Sequence, residues 1–188
     1  GVSKVLFNST DITGRLKKCR RWGQNNAEAD VGALLRQGKN RLVFVFRIPD
    51  WAAPHRLPAA ILRGLFAVSN GEIFPLPDTI EAVPLMQTGF PYFGGVFSYE
   101  FTFTAPESPC RAVLTLYTRD AADIEVNGKP AGRLMWAPFE LDITDFVKPG
   151  ANTVKAAIWI PYANLMGEKI PCGLEKSPRI TFYPLPVI

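Results

Sequence analysis

An all-β chain folded as an antiparallel β-sandwich is the architecture this sequence predicts. Short runs rich in β-branched and aromatic residues recur along it, and turn-forming residues interrupt them roughly every 8–12 positions. Helical patterning is confined to stretches too short to organise a fold. The clearest strand is 96–104, Val-Phe-Ser-Tyr-Glu-Phe-Thr-Phe-Thr, where bulky residues alternate with small or polar ones and so define one apolar face. Residues 111–118, 122–126 and 153–160 have the same β-rich composition. Pro106, Pro109, Pro130, Pro138, Pro149 and Pro161 fall between these runs, where a missing amide hydrogen breaks no ladder. Asn127-Gly128 follows Ile124-Glu125-Val126 directly; both residues tolerate positive φ, which predicts a two-residue hairpin turn. Two short helical turns are expected, one within 29–36 capped by Asp30 and one from Ile143 to Val147 capped by Asp142.

Size and charge exclude several function classes. With 188 residues, 47% hydrophobic and 20% charged, the chain can build a core without disulfides or a structural metal. Its longest apolar runs, such as Leu42-Val43-Phe44-Val45-Phe46, fall far short of the roughly 20 residues of a membrane helix, so no membrane partner is expected. The balance of 21 basic and 17 acidic residues gives +4, with one cluster at Arg15, Lys17, Lys18, Arg20 and Arg21. Only Trp22 adjoins that cluster as a stacking aromatic, so no nucleic-acid partner is expected either. Cys19, Cys110 and Cys172 lack metal-ligand spacing and His55 is the sole histidine, so neither a metal nor a cofactor is expected. The odd count leaves at least one free thiol, and whether the other two pair is not legible. The sequence begins Gly1-Val2-Ser3 with neither an initiator Met nor a signal peptide, and is expected to be a processed or excised piece whose compartment its ends do not reveal.

An internal repeat sharpens the organisation. Residues 30–42 align without a gap on residues 142–154, so that Asp30 meets Asp142, Gly38 meets Gly150 and Asn40 meets Asn152. Upstream, Val5-Leu6-Phe7-Asn8 corresponds to Ile124-Glu125-Val126-Asn127, and Trp22 to Trp136. Residues 1–48 therefore read as the second half of a module whose complete copy spans roughly 60–188. The expected organisation is a partial β-module at 1–48 packing on the main sandwich, a Pro-rich extended connector with a strand at 49–84, and the main jelly roll at 85–188. A half-module alone exposes apolar faces, so 1–48 either packs on the complete copy or lacks a partner.

Four strings carry a family resemblance: Gly89-Phe90-Pro91-Tyr92-Phe93-Gly94-Gly95-Val96-Phe97-Ser98-Tyr99, residues 123–132 around Asn127-Gly128, residues 136–145 from Trp136 to Asp145, and Lys148-Pro149-Gly150-Ala151-Asn152. Together with Asn164-Leu165-Met166-Gly167 they resemble the galactose-binding-like jelly-roll domains of multidomain glycoside hydrolases of the β-galactosidase, β-glucuronidase and rhamnosidase type. The resemblance covers about 85 to 165 and implies an accessory β-sandwich, with catalysis assigned to a separate domain. Turn and capping chemistry alone accounts for most of these residue types.

The residues themselves offer no catalytic set. Glycoside hydrolysis needs two carboxyl groups across the scissile bond; Glu125, Glu140, Asp142 and Asp145 supply acids, but chance pairs are expected among 17 of them. No GxSxG, GxGxxG or P-loop occurs. The chain is therefore expected to be non-catalytic. Sugar binding is the sharper expectation, because pyranose C–H faces stack on exposed rings while hydroxyls bond to amide and guanidinium groups. Trp22, Trp51, Tyr92, Phe93, Trp136 and Tyr162 are loop aromatics. The expected carbohydrate-binding set is Trp136, Arg133, Tyr92 and Asn164, with a glycan and a parent catalytic domain as partners. The alternative is a purely structural domain that positions a catalytic domain and has no sugar affinity; exposure of Trp136 and Tyr92 on one concave loop surface would favour sugar binding, and burial of both the structural role.

Overall fold

Period-2 alternation becomes a two-unit, all-β architecture in the computed structural model, which describes residues 2–21, 23–47, 60–168 and 170–184. The units are Gly1–Arg63 and Gly64–Ile188. Trp22, Trp51 and His55 lie outside the described residues, as do residue 48 of the expected partial module and the stretch 49–59 of the expected connector.

In the first unit, β1 (Val2–Phe7), β2 (Thr10–Asp11) and β5 (Leu42–Phe46) form a sheet in the order β2-β1-β5, while β3 (Lys17–Arg21) and β4 (Gln24–Glu28) make a separate hairpin. Val5, Phe7 and Ile12 are its buried core, with Leu16, Val31, Leu34 and Phe44 packed around them. Of the basic cluster, Lys17, Lys18, Arg20 and Arg21 lie on β3 and Arg15 ends the 3-10 turn before it; Lys17 lies opposite Glu28, and Arg21 pairs with the Glu28 carboxylate at 2.8 Å.

The second unit opens with a small hairpin, β6 (Ala67–Ser69) and β7 (Glu72–Phe74), turned by Asn70 and Gly71 at positive φ. β6 and β7 lie within 49–84, where an extended connector with a strand is expected. Next come β8 (Gly95–Ala105), β9 (Cys110–Thr115), β10 (Ala122–Val126), β11 (Lys129–Leu134), β12 (Glu140–Asp142), β13 (Gly150–Ile160) and β14 (Arg179–Pro184). They sort into a four-stranded sheet, β11-β10-β13-β8, and a three-stranded sheet, β12-β9-β14, all antiparallel. The chain crosses between sheets repeatedly, β8 to β9 and back to β10, as a jelly-roll sandwich requires. Inward residues of both sheets meet in one core: Tyr99, Ile124, Val126, Val154 and Ile158 from the first, Ala112, Leu114 and partly buried Phe182 from the second. Asn127 and Gly128 adopt φ of 50° and 77° and join β10 to β11 with Val126 opposite Lys129, the expected two-residue turn.

The internal repeat extends to individual hydrogen bonds. In the sandwich, the Asn127 side chain donates to Phe146 O (2.9 Å) and Asn152 Oδ1 (2.8 Å) and accepts from Thr153 N (3.1 Å). Asn152 also accepts from Lys148 N (2.9 Å) and donates to Lys148 O (2.7 Å) and Gly150 O (2.8 Å). In the first unit, Asn8 donates to Leu34 O (2.8 Å) and Asn40 Oδ1 (2.7 Å) and accepts from Arg41 N (2.9 Å). Asn40 accepts from Arg36 N (3.0 Å) and donates to Arg36 O (2.9 Å) and Gly38 O (3.0 Å). Six bonds thus recur with the same donors and acceptors. The clasp ties a hairpin turn to a 3-10 turn and to the start of the next strand, so β1 corresponds to β10 and β5 to β13.

The capped turns also recur. Asp142 accepts from Thr144 N at 3.1 Å and Asp30 accepts from Gly32 N at 2.8 Å, each opening a three-residue 3-10 turn. A third copy begins with the same tripeptide as Asp142-Ile143-Thr144: Asp11 accepts from Thr13 N at 2.9 Å, and Lys4 pairs with Asp11 as Arg111 pairs with Asp142. The Thr144 hydroxyl and the Arg111 guanidinium hold the Asp142 carboxyl down to about 2 from its ordinary 3.8. A depressed carboxyl stabilises the fold above its unfolded value and loses that contribution as pH falls through the folded one. Asp142→Asn is therefore expected to flatten the stability profile between about pH 4 and pH 2. The side chain is half-exposed, so the difference stays under about 1 kcal/mol. Urea midpoints at pH 5 and pH 2.5 check this; equal losses in both proteins would contradict it.

Candidate functional site

Register fixes which loops share an end of the sandwich. Ala122 lies opposite both Leu134 and Ile158, and Ile160 lies opposite Gly95, so the start of β8, the start of β10, the end of β11 and the end of β13 meet at one end of the four-stranded sheet. The loops leaving that end carry Tyr92, Met135, Trp136, Tyr162 and Met166, all exposed. Trp136 is 74% exposed and Tyr92 43%, the values that separate a presented ring from a core plug. Their parent strands β11 and β8 are opposite edges of the sheet, three spacings or about 14 Å apart. Phe93 stands differently: it is partly buried and packs edge-on against Phe97 with centroids 5.2 Å apart.

Arg133 projects from the outward parity of β11. Its guanidinium grips Asp123 on β10 through both carboxylate oxygens, Nη2 to Oδ2 at 3.1 Å and Nε to Oδ1 in a shorter contact. Asp123 Oδ2 also accepts from Trp159 Nε1 at 2.9 Å, fixing a half-exposed indole on β13. The paired guanidinium holds the Asp123 carboxyl below the usual carboxylate range, with the indole N–H adding to it. The outcome is a flat outward row, Arg133, Asp123, Ala157 and Ser98 in register, with Trp159 and Val96 beside it. Two of the five guanidinium N–H groups are spent on Asp123.

Trp159 and Asp123 were not among the expected site residues. The signal was available: Ile158 and Ile160 are inward on β13, so parity puts Trp159 outside, yet only loop aromatics were considered as stacking surfaces.

Asn164 belongs to the interior. Its side chain is 1% exposed, accepts from Ile170 N at 2.7 Å and donates to Cys172 Sγ at 3.0 Å. It holds the 164–172 loop and does not face solvent with Trp136, Tyr92 and Arg133. Burial pushes the Cys172 thiol up, which makes it a packing group rather than a nucleophile. Cys19, Cys110 and Cys172 are all free thiols.

Glu140 lies opposite Thr115 on the three-stranded sheet, while Glu125 lies opposite Lys155 on the four-stranded one, so these two acids sit on different sheets. Among the described residues, no three His, Cys, Asp or Glu side chains are placed to hold a metal ion, and no helix is long and apolar enough to cross a membrane.

No family model matches the chain. It is 36% identical over 104 residues to a protein of Formosa agariphila named "Putative beta-glucuronidase"; the match covers 51% of this chain and 9% of that relative. A rhamnosidase from Novosphingobium sp. PP1Y superposes on 84% of this chain and 19% of its own, with TM-score 0.50 and 20% identity, a likeness of fold alone. A glycosyl hydrolase family 2 member from Bacteroides cellulosilyticus aligns with 98% of this chain and 20% of its own at TM-score 0.40, too low to carry structural weight. The relatives are glycoside hydrolase chains, and this chain spans only a small part of each.

Proposed function

We propose that this chain is a non-catalytic accessory β-sandwich of a larger glycoside hydrolase, and that the aromatic end of its four-stranded sheet engages a glycan. The exposure of Trp136 carries the reading. A ring presented to water at a loop tip offers a stacking face for pyranose C–H groups, and the remaining Arg133 N–H groups and Tyr92 add polar and aromatic contacts nearby. Asn164 has no part in it, since its polar atoms are spent inside the loop. Affinity is expected to be modest, because the surface is shallow and sugar hydroxyls are already satisfied by water.

A second reading has its own support. Met135 and Met166 are exposed at the same end, and exposed methionines beside large aromatics also suit a contact with another protein domain. Retention on immobilised polysaccharides, neutral and uronate-bearing, separates the two. Trp136→Ala is expected to abolish retention while moving the melting temperature by only about 1–2 °C, as suits an exposed side chain. Retention that survives the substitution removes Trp136 from the site. If no polysaccharide retains the parent chain, the purely structural domain stands.

A further inference from the structure

Three outward side chains of the four-stranded sheet lock one another in place. Arg133 grips both carboxylate oxygens of Asp123, and Asp123 Oδ2 accepts from Trp159 Nε1 at 2.9 Å, so β11, β10 and β13 are joined by one chain of side-chain bonds. Trp159 stands diagonally from Asp123, whose direct partner on β13 is Ala157, and the bond therefore reaches across the sheet face. Trp159 nonetheless keeps half its surface in water. A ring whose polar edge is already bonded offers an incoming molecule its flat apolar face, and it needs little further ordering on contact. Ala157 and Ser98 continue the Arg133–Asp123 row and are small, which keeps the floor beside the indole low.

Charge narrows what that floor accepts. The next row, Glu125, Lys155 and Glu100 in register, sets two acids about one base. Together the two rows carry Asp123, Glu125 and Glu100 against Arg133 and Lys155, a balance of −1 that disfavours a phosphate backbone or a uronate-bearing chain. Charges packed this closely around Trp159 also suit a protein partner poorly, because interface centres are depleted of them. A neutral sugar meets every requirement: its C–H face covers the indole, and its hydroxyls reach the unspent Asp123 lone pairs and Arg133 N–H groups. The row is long as well, since β11 and β13 lie two strand spacings, about 10 Å, apart.

We infer that the Arg133–Asp123–Trp159 row is a second stacking subsite, joined through Arg133 to the segment that carries Trp136, and that its ligand is a neutral polysaccharide held along its length. The inference rests on the reading of the aromatic end as a glycan site, and it names the class of glycan. Arg133 serves both subsites, because it lies three residues before Trp136 and in register with the row that leads to Trp159.

Native affinity gels run with the full chain test this, cast with galactomannan, xyloglucan or mixed-linkage β-glucan as neutral probes and with polygalacturonate as the charged one. At least one neutral polysaccharide should bind the parent chain at least about tenfold more tightly than polygalacturonate does. In that gel Trp159→Ala should weaken binding about tenfold, while its melting temperature stays within about 2 °C of the parent. Trp159→Phe keeps a ring on β13 and should fall between the two. Glu100→Gln combined with Glu125→Gln turns the −1 of the two rows into +1, and should narrow the preference against polygalacturonate at least about threefold. If Trp159→Ala binds as the parent does while Trp136→Ala does not, the second subsite is overturned and the loop-end site stands. Polygalacturonate bound as tightly as every neutral probe overturns the neutral class, and a phenylalanine variant no better than the alanine one removes stacking as the cause. A parent chain that no gel retards removes both subsites together.

Discussion

Asn152→Ala is expected to destabilise the sandwich by about 2–4 kcal/mol, whereas Asn40→Ala, which breaks the same hydrogen-bond pattern in the first unit, should cost about 1 kcal/mol. The difference is burial. Asn152 is 2% exposed and engages four bonds with one side chain: Asn127 Nδ2 and Lys148 N on its oxygen, Lys148 O and Gly150 O on its nitrogen. Truncation leaves those four groups to find water in a site that has little, and each group left dry costs about 1–3 kcal/mol. Asn127, held at positive φ, also loses the partner that orients its own bonds to Phe146 O and Thr153 N. Asn40 is only half-buried, and water can replace its lost partners. Asn152→Asp should be no rescue. It keeps both accepted bonds but sets a carboxylate against two carbonyl oxygens. Denaturant midpoints for the sandwich, read through core amide exchange, measure the first cost, and exchange at Val5 and Phe7 measures the second. Equal costs would mean that burial does not govern the clasp.

The residues of the clasp were legible as a repeat, because Asn at the end of a strand, then Gly two residues before a second Asn, recur in order in both halves, while the bonds that join them were not. The sandwich strands were legible because the core covers only one of their faces and water meets the other, which imposes period 2 on residues 96–104 and 153–160. β3 and β4 escaped for the opposite reason. Lys17-Lys18-Cys19-Arg20-Arg21 buries neither face deeply, and its pairing rests on Gly23 at positive φ and the Arg21–Glu28 bridge rather than on apolar periodicity. At the candidate site, Trp136 and Tyr92 announced themselves as loop aromatics. The Arg133–Asp123–Trp159 arrangement needs the register of three strands, which residue types do not carry. Asn164 misled for a related reason: an Asn in a loop reads as solvent-facing until its partners, Ile170 N and Cys172 Sγ, are known.

Gly173→Ala should be the most damaging alanine substitution among the described glycines, at about 2–5 kcal/mol, with left-handed backbone strain of about 1–2 and overpacking of about 1–3 combined. Gly173 has φ of +82°, and a Cβ there would sit 2.5 Å from Tyr99 Oη and 2.9 Å from Leu85 Cγ. Neither neighbour is free to retreat. Leu85 is fully buried and its N–H is bonded to Cys172 O at 3.0 Å; Tyr99 is 8% exposed, its phenol pushed up to about 12 by burial. The glycine backbone is pinned as well, donating to Asp120 Oδ2 at 2.7 Å and accepting from the Thr118 hydroxyl at 2.9 Å. The segment from Cys172 to Leu174 thereby anchors the long loop after β13 to the loop before β10, two of the loops at the aromatic end. A double-mutant cycle isolates the steric part. Tyr99→Phe alone removes one long hydrogen bond, from Leu174 N at 3.4 Å, and should cost about 1 kcal/mol or less. In that background Gly173→Ala should cost at least about 1 kcal/mol less than it does beside tyrosine, because the closest clash is gone while the strain and the Leu85 contact remain. An additive cycle would show that the loop moves away from the new methyl as a unit, and the anchor assigned to residues 172–174 would then be too weak to hold the aromatic end in place.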